Sequence, residues 1–263
     1  MKIVPTDQAP AAPARLLEDF APALVRNEAH HLCPGCGEPI VMRAIAEMIS
    51  ELKIASRAIG VVGIGCYTGF STAADIDIVQ ALHGRAPSLA TGVKRVRPDS
   101  FVFTLQGDGD MVNEGLQEIL HTAARAERVT AILVNNGVFG ETGGHMTAAS
   151  VLGQRTKNTL EGRDAAQHGF PIPIADLLAR LEGVAYVARG AVNNAANVTR
   201  TRRALRRAFE LQEAGAGFTF VEVLTMCPTG WFLETRQAPD YLDDKLAATY
   251  KLGVLKDLSA SSG

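Results

Sequence analysis

The chain has 263 residues, 47% of them apolar, and a formal net charge of −2. That length and apolar content suit one large α/β domain, and the slight negative balance offers no footing for nucleic acid. The longest apolar run, residues 58–66, is far too short to span a bilayer, so no membrane association is expected.

In chain order, residues 1–29 are rich in Ala and Pro and lack a signal-peptide core. They read as an N-terminal extension that wraps a partner subunit, and the chain reads as cytoplasmic. Cys33-Pro-Gly-Cys36-Gly follows. Residues 58–64 form an apolar strand that ends in Gly63-Ile64-Gly65-Cys66. An amphipathic stretch through Ile76, Ile78, Val79 and Leu82 is expected as a helix, with His83-Gly84-Arg85 at its end. Gly92-Val93-Lys94-Arg95 adds positive charge nearby.

Residues 101–105 are a β-rich run ending at Gly107-Asp108-Gly109-Asp110. Residues 115–128 have helical spacing through Leu116, Ile119, Leu120, Ala123 and Ala124. Residues 130–134 form the next strand and end at Asn135-Asn136. Strand, turn, helix, strand and loop in that order make a βαβ unit, with both polar clusters at the carboxyl ends of parallel strands. Beyond them lie a glycine-rich turn at residues 140–145, a basic amphipathic helix at 199–213 and a strand at 218–224. Cys227-Pro228-Thr229-Gly230-Trp231 comes next, and a flexible tail is expected at 256–263.

Two constellations carry chemistry. Asp110 precedes Asn135 by 25 residues, so a glycine-rich turn, a carboxylate and a side-chain amide meet at one sheet edge. Glycine lets backbone approach a phosphate, and oxygen donors suit a hard divalent cation. The second constellation is the four cysteines, Cys33, Cys36, Cys66 and Cys227, which are all the chain has. An iron–sulfur cluster, a zinc site, a redox disulfide of Cys33 with Cys36, and unconnected thiols all remain open on the pattern alone.

Taken together, Cys-Pro-Gly-Cys-Gly, Gly-Ile-Gly-Cys, His-Gly-Arg-Ala, Gly-Asp-Gly-Asp and a late Cys-Pro-Thr resemble the β subunit of the 2-oxoacid:ferredoxin oxidoreductases, from His30 to Trp231. The resemblance implies a parallel-sheet thiamine diphosphate-binding domain over residues 30–255 with helices on both faces. It implies Mg²⁺ held by Asp108, Asn136 and the carbonyl of Val138, and a [4Fe-4S] cluster on Cys33, Cys36, Cys66 and Cys227. Ile64, Gly65, Cys66, Tyr67, His83, Gly107, Gly109, Asp110, Gly140 and Glu141 would complete the cofactor site, with Gly63 and Gly65 leaving room for close approach. Arg85 is a weaker candidate, backbone amides of residues 140–145 would cradle phosphate, and Tyr67, Phe70 and Phe139 would wall the substrate pocket.

The implied reaction is oxidative decarboxylation of a 2-oxo acid with coenzyme A to acyl-CoA and CO₂, with electrons passing to ferredoxin. No catalytic residue is assigned to this chain. The glutamate that activates the cofactor would come from an α subunit, and a small ferredoxin-like subunit would carry further clusters. The chain departs from some members at Gly69, Glu141 and Gly143, where they carry basic or apolar residues; this disfavours 2-oxoglutarate and leaves branched, aromatic or unusual 2-oxo acids open. The alternative is a non-redox thiamine decarboxylase or synthase subunit with a four-cysteine zinc site.

Overall fold

The computed structural model describes residues 31–258. The expected extension 1–29, His30 and residues 259–263 lie outside that range. The chain begins with helix α1 (Glu38–Glu51), strand β1 (Ala58–Val62), strand β2 (Asp77–Gln80), helix α2 (Ala86–Val96) and strand β3 (Phe101–Gly107). Helix α3 (Leu116–Ala124), β4 (Thr130–Asn135) and a small hairpin of β5 (Val138–Phe139) and β6 (His145–Met146) follow. Helix α4 (Ile174–Ala179), β7 (Val184–Ala191), α5 (Ala195–Glu213), β8 (Phe218–Leu224) and β9 (Gly253–Asp257) complete the core elements.

Seven strands form one sheet in the order β2-β1-β3-β4-β8-β7-β9. All neighbours are parallel except β9, which runs antiparallel to β7. Helices cover both faces. Phe101, Phe103, Leu105, Ile132, Val134, Val221 and Val223 pack against Ile45, Met48 and Ile49 of α1 and Leu205 and Phe209 of α5. On the opposite face Ala131, Leu133, Phe218 and Phe220 meet Ile119 and Ala123 of α3 and Ile174 and Leu178 of α4, while Val61 and Val102 meet Ala86 and Ala90 of α2. Burial on both faces explains why β3, β4 and β8 read as continuous apolar runs rather than as alternation. Among the described residues no helix is long and apolar enough to cross a membrane.

Three expectations change. The stretch expected as a helix before His83 is the edge strand β2, with Ile78 and Val79 paired to Gly60 and Val61. Its apolar residues fit period 2 and helical spacing alike, and pairing with β1 decides between them. Lys256 and Asp257, placed in the expected tail, pair with Val187 and Tyr186 in the sheet, and Arg207 holds Asp257 at 3.1 Å. The basic helix starts earlier, at Ala195, where the Asn194 side chain caps it by accepting from the Asn197 N–H. Its Arg202 and Arg206 pair with Glu51 of α1, so that face is partly neutralised by its neighbour.

Candidate cofactor and cysteine site

Parallel strands place their carboxyl ends on one edge, and the loops after β1, β2, β3 and β4 meet there. They enclose a cleft of about 500 Å³ including its open mouth. Ile64, Gly65, Cys66, Tyr67, His83, Gly107, Asp108, Gly109, Asp110, Asn136, Val138, Gly140 and Glu141 all line it, so the residues singled out for the cofactor are brought together. Phe139, Thr142 and Glu38 complete the wall.

Asp108 and Asn136 are both buried. The Thr147 hydroxyl donates to Asp108 Oδ2 at 2.5 Å, and the Asn136 N–H donates to Oδ1 at 3.3 Å. Asn136 Oδ1 accepts from the Val138 N–H at 3.0 Å, while Trp231 Nε1 donates to the Asn136 carbonyl at 2.7 Å. The late Cys-Pro-Thr-Gly-Trp segment thus braces the asparagine loop. Burial pushes the Asp108 carboxyl up to about 7, against the pull of its hydrogen bonds from Thr147 and Asn136. A buried carboxyl with no cationic partner among the described residues, beside an amide oxygen and a backbone carbonyl, is a donor set that fits Mg²⁺. Asn135 serves the scaffold: its amide donates to Glu222 at 2.7 Å and its oxygen accepts from the Gly137 N–H at 3.0 Å.

Asp110 differs from Asp108. Its Oδ1 accepts from the Gly84 N–H at 2.7 Å and lies 3.1 Å from His83 Nδ1. Its Oδ2 accepts from Gln106 Nε2 at 2.8 Å and lies 2.9 Å from the Tyr67 hydroxyl. The carboxylate is therefore saturated by protein donors and holds the site rather than the cofactor. This also corrects the reading of the early glycines. A Cβ on Gly63 would stand 2.0 Å from Asp110 Oδ2, and one on Gly65 would stand 2.6 Å from the Tyr67 ring. That space is taken by this chain's own side chains.

The turn after Val138 is corrected in part, at Gly143 and Gly144. The Gly143 and Gly144 N–H groups donate to the carbonyls of Gly140 and Phe139 at 3.0 and 2.9 Å, so these amides close the β5–β6 hairpin and are not free for phosphate. Arg85 pairs with Glu118 of α3. Lys94 donates to the carbonyls of Pro98 and Ser100, and Arg95 pairs with Glu127. None of these three cations lines the cleft. Phe70 packs edge-on against Phe103, with ring centroids 6.2 Å apart, and belongs to the core.

The four cysteines line a second cavity with Glu38, Gly140, Pro228 and Thr229. Cys66, Gly140 and Glu38 belong to both walls. A Cβ on Gly140 would lie 3.5 Å from Cys227 Sγ and 3.6 Å from Cys66 Sγ, at ordinary van der Waals contact, so the backbone at Gly140 runs directly beside both sulfurs. All four thiols are free. Burial pushes Cys227 up to about 12, and burial followed by the charge of Glu38 raises Cys36 and Cys66 further. The Glu38 N–H at the start of α1 points to Cys36 Sγ, and that of Gly230 to Cys227 Sγ. Among the described residues no three His, Cys, Asp or Glu side chains gather around a single metal ion. The thiols ring a cavity instead.

Sequence reasoning missed Glu38 and reached Thr142 only as part of the turn at 140–145. Glu38 is 4% exposed, its Oε2 has no hydrogen-bond partner, and burial, then Asp108 and Glu141, raise it to about 8. The signal was an acidic residue directly after Cys-Pro-Gly-Cys-Gly, at a helix start that the cysteines hold inside the molecule. Asp108 and Glu38 together predict a pH effect. Folded and cofactor-free, both keep protons that the unfolded chain releases near 3.8 and 4.5. Their contribution to stability is complete below those values and is lost as pH rises through about 7 and about 8. Thermal melts without cofactor should fall across that window, and Mg²⁺ with thiamine diphosphate should flatten the fall.

Residues 63–223 match the family described as thiamine pyrophosphate enzyme, C-terminal TPP binding domain. The chain is 32% identical over 232 residues to a "2-oxoacid:ferredoxin oxidoreductase subunit beta" of Sulfolobus sp., covering 86% of this chain and 69% of the relative. It belongs to this family of oxidoreductase β subunits. The chain is also 36% identical over 234 residues to the "Ketoisovalerate oxidoreductase subunit VorA" of Methanothermobacter thermautotrophicus, covering 89% of this chain and 49% of the relative. This β-type chain thus spans about half the length of the ketoisovalerate relatives it matches. The fold matches a 2-oxoglutarate:ferredoxin oxidoreductase from Magnetococcus marinus, solved with 2-oxoglutarate, coenzyme A and succinyl-CoA bound. The TM-score is 0.72 at 23% identity, over 89% of this chain and 83% of that one.

Proposed function

We propose that this chain is the cofactor-carrying β subunit of a cytoplasmic enzyme that oxidatively decarboxylates a 2-oxo acid with coenzyme A and passes electrons to ferredoxin or a similar acceptor. The observation that carries this reading is the wall common to the two cavities, in which Cys66 and Gly140 face the cleft on one side and the four-cysteine cavity on the other. When bound, thiamine diphosphate supplies the electron sink for decarboxylation and a [4Fe-4S] cluster supplies one-electron transfer.

Asp108, the Asn136 amide and the Val138 carbonyl hold Mg²⁺ on the diphosphate. Ile64, Tyr67 and Phe139 exclude water beside the ring. Cys33, Cys36, Cys66 and Cys227 hold the cluster, with backbone N–H groups at Cys36 and Cys227 to stabilise the sulfurs. The spread of the thiols around a cavity supports a polynuclear cluster over a single zinc ion. The glutamate that activates the cofactor belongs to the α subunit, as the family resemblance implies. A small ferredoxin-like subunit receives the electrons.

Glu38, Asp108, Asp110 and Glu141 line the cleft and, among the described residues, no Lys or Arg does, which favours substrates without a second carboxylate. Coenzyme A-dependent reduction of a viologen dye by the assembled enzyme, measured over a panel of 2-oxo acids, tests this. Branched or aromatic substrates should exceed 2-oxoglutarate in kcat/KM by at least about tenfold, because a distal carboxylate would lack a countercharge on this side. No dye reduction with any 2-oxo acid would overturn the proposal.

A further inference from the structure

A further cavity lies away from the cleft, between the first turns of α5, strand β7 as its floor and the edge strand β9. It encloses about 740 Å³ including its open mouth, within the range of small-molecule sites. It shares no lining residue with the cleft or with the cysteine cavity. At one end α5 lies tight on β7. A Cβ on Gly190 would collide with Thr201 Oγ1, and that hydroxyl donates to the Ala191 carbonyl at 2.8 Å. On the other side Gly253, at φ +139°, carries no side chain to narrow the space. Ala188, Ala191, Ala204, Leu252 and Val254 give the walls an apolar lining.

Five arginines stand between residues 200 and 207 of α5, and helical spacing sorts them. Arg202 and Arg206, four apart, take both oxygens of Glu51 on α1. Arg207 takes Asp257 of β9. Arg200 and Arg203, three apart, are left, and both line the cavity. Among the described residues no Asp or Glu lines it. Arg200 donates to Asn197 Oδ1 at 3.0 Å, and the Asn197 amide is itself anchored on Asn193 at 2.7 Å. Arg203 has no hydrogen-bond or ion-pair partner among the described residues. Tyr186 in the floor is 2% exposed, and its hydroxyl has no partner among them either. A buried phenol ordinarily finds one.

We propose that this cavity is a binding site for a small organic acid. Its carboxylate or phosphate head sits on Arg200 and Arg203, whose planar forks suit either group. Its apolar body lies over β7 against Leu252 and Val254, and the Tyr186 hydroxyl donates to it or to its head. Apolar walls alone would take a neutral molecule. Two guanidiniums with spare donors and no countercharge select an anion.

Phenylacetate and phenyl phosphate, as carboxylate and phosphate probes, are titrated calorimetrically into the native assembly as isolated. The wild type should bind at least one of them saturably, and the tighter one identifies the head. The double variant Arg200→Gln, Arg203→Gln changes two exposed side chains, so its melting temperature should match the wild type. It should bind the same probe at least about tenfold more weakly. Uncharged phenylacetamide should bind at least about tenfold more weakly than phenylacetate, and inorganic phosphate than phenyl phosphate. Tyr186→Phe should weaken binding by about threefold. Equal affinity in the wild type and the double variant overturns the proposal, because the probe is then bound elsewhere, the cofactor cleft included. Phenylacetamide equal to phenylacetate, or inorganic phosphate equal to phenyl phosphate, overturns the ligand class. Unchanged affinity in Tyr186→Phe overturns the part given to the phenol. Absence of saturable binding of both probes overturns the site.

Discussion

Replacing Asp108 by Ala should abolish retention of thiamine diphosphate and Mg²⁺ while leaving bound iron unchanged. The carboxylate is the one ionisable group in the oxygen donor set, and its neighbours donate hydrogen bonds that hold it towards the cleft. Loss of outer contacts to a metal ligand typically lowers affinity by about 10–100-fold, so removing the ligand itself should exceed about a hundredfold. Thiamine and magnesium assays after gel filtration would read the loss, with iron assayed on the same sample. A folding defect would give a different pattern. Asp108 is a buried carboxyl whose ionisation disfavours the cofactor-free fold, since burial raises it to about 7. Asp108→Ala should therefore melt no lower than wild type above that pH when both lack cofactor. Unchanged cofactor content in the variant would contradict the metal assignment.

Anaerobic purification should yield about four irons and four sulfides per chain, the content of one [4Fe-4S] cluster. Replacing Cys66 by Ser should remove most of that iron. Cys66 stands in the common wall, so its loss should also uncouple substrate decarboxylation from dye reduction even where some cluster survives. Cys33 is the exposed thiol of the four, so Cys33→Ser should lose iron on exposure to oxygen more readily than under anaerobic handling. Iron and sulfide analysis with electron paramagnetic resonance of the reduced protein would read both variants. One zinc per chain without iron would favour the non-redox alternative and remove the electron path from the reading.

Much of the architecture was legible locally. Residues 101–136 carry their own instructions, with an apolar β-rich run, a glycine turn, a helix-forming stretch and a second apolar run ending in Asn-Asn. Parallel strands then have to bring Asp108 and Asn136 to one edge. The strand before Cys227 was legible for the same reason. The stretch before His83 was not, because Ile76, Ile78, Val79 and Leu82 satisfy both periods over a short window and only pairing with Gly60 and Val61 selects the strand. The tail was misjudged where Lys256 and Asp257 find partners on β7, some 70 residues earlier in the chain.

Within the site, the sequence determined which chemical groups are present and which strand end each one follows. A loop's position after its strand is a local property of the chain, so strand order together with the family resemblance named residues that line the cleft and the cysteines that line the second cavity. Only the tertiary structure decided how those groups are spent. Asp108 and Asp110 stand two residues apart in the same motif, yet one has no cationic partner among the described residues and the other is saturated by Gly84, Gln106, His83 and Tyr67. Gly63 and Gly65, expected to let the cofactor approach the backbone, instead make room for Asp110 and for Tyr67. Glu38 becomes a buried carboxyl between two cavities. Each outcome depends on hydrogen bonds and close contacts between segments tens of residues apart, and those are set by strand order and helix packing rather than by neighbours in the chain.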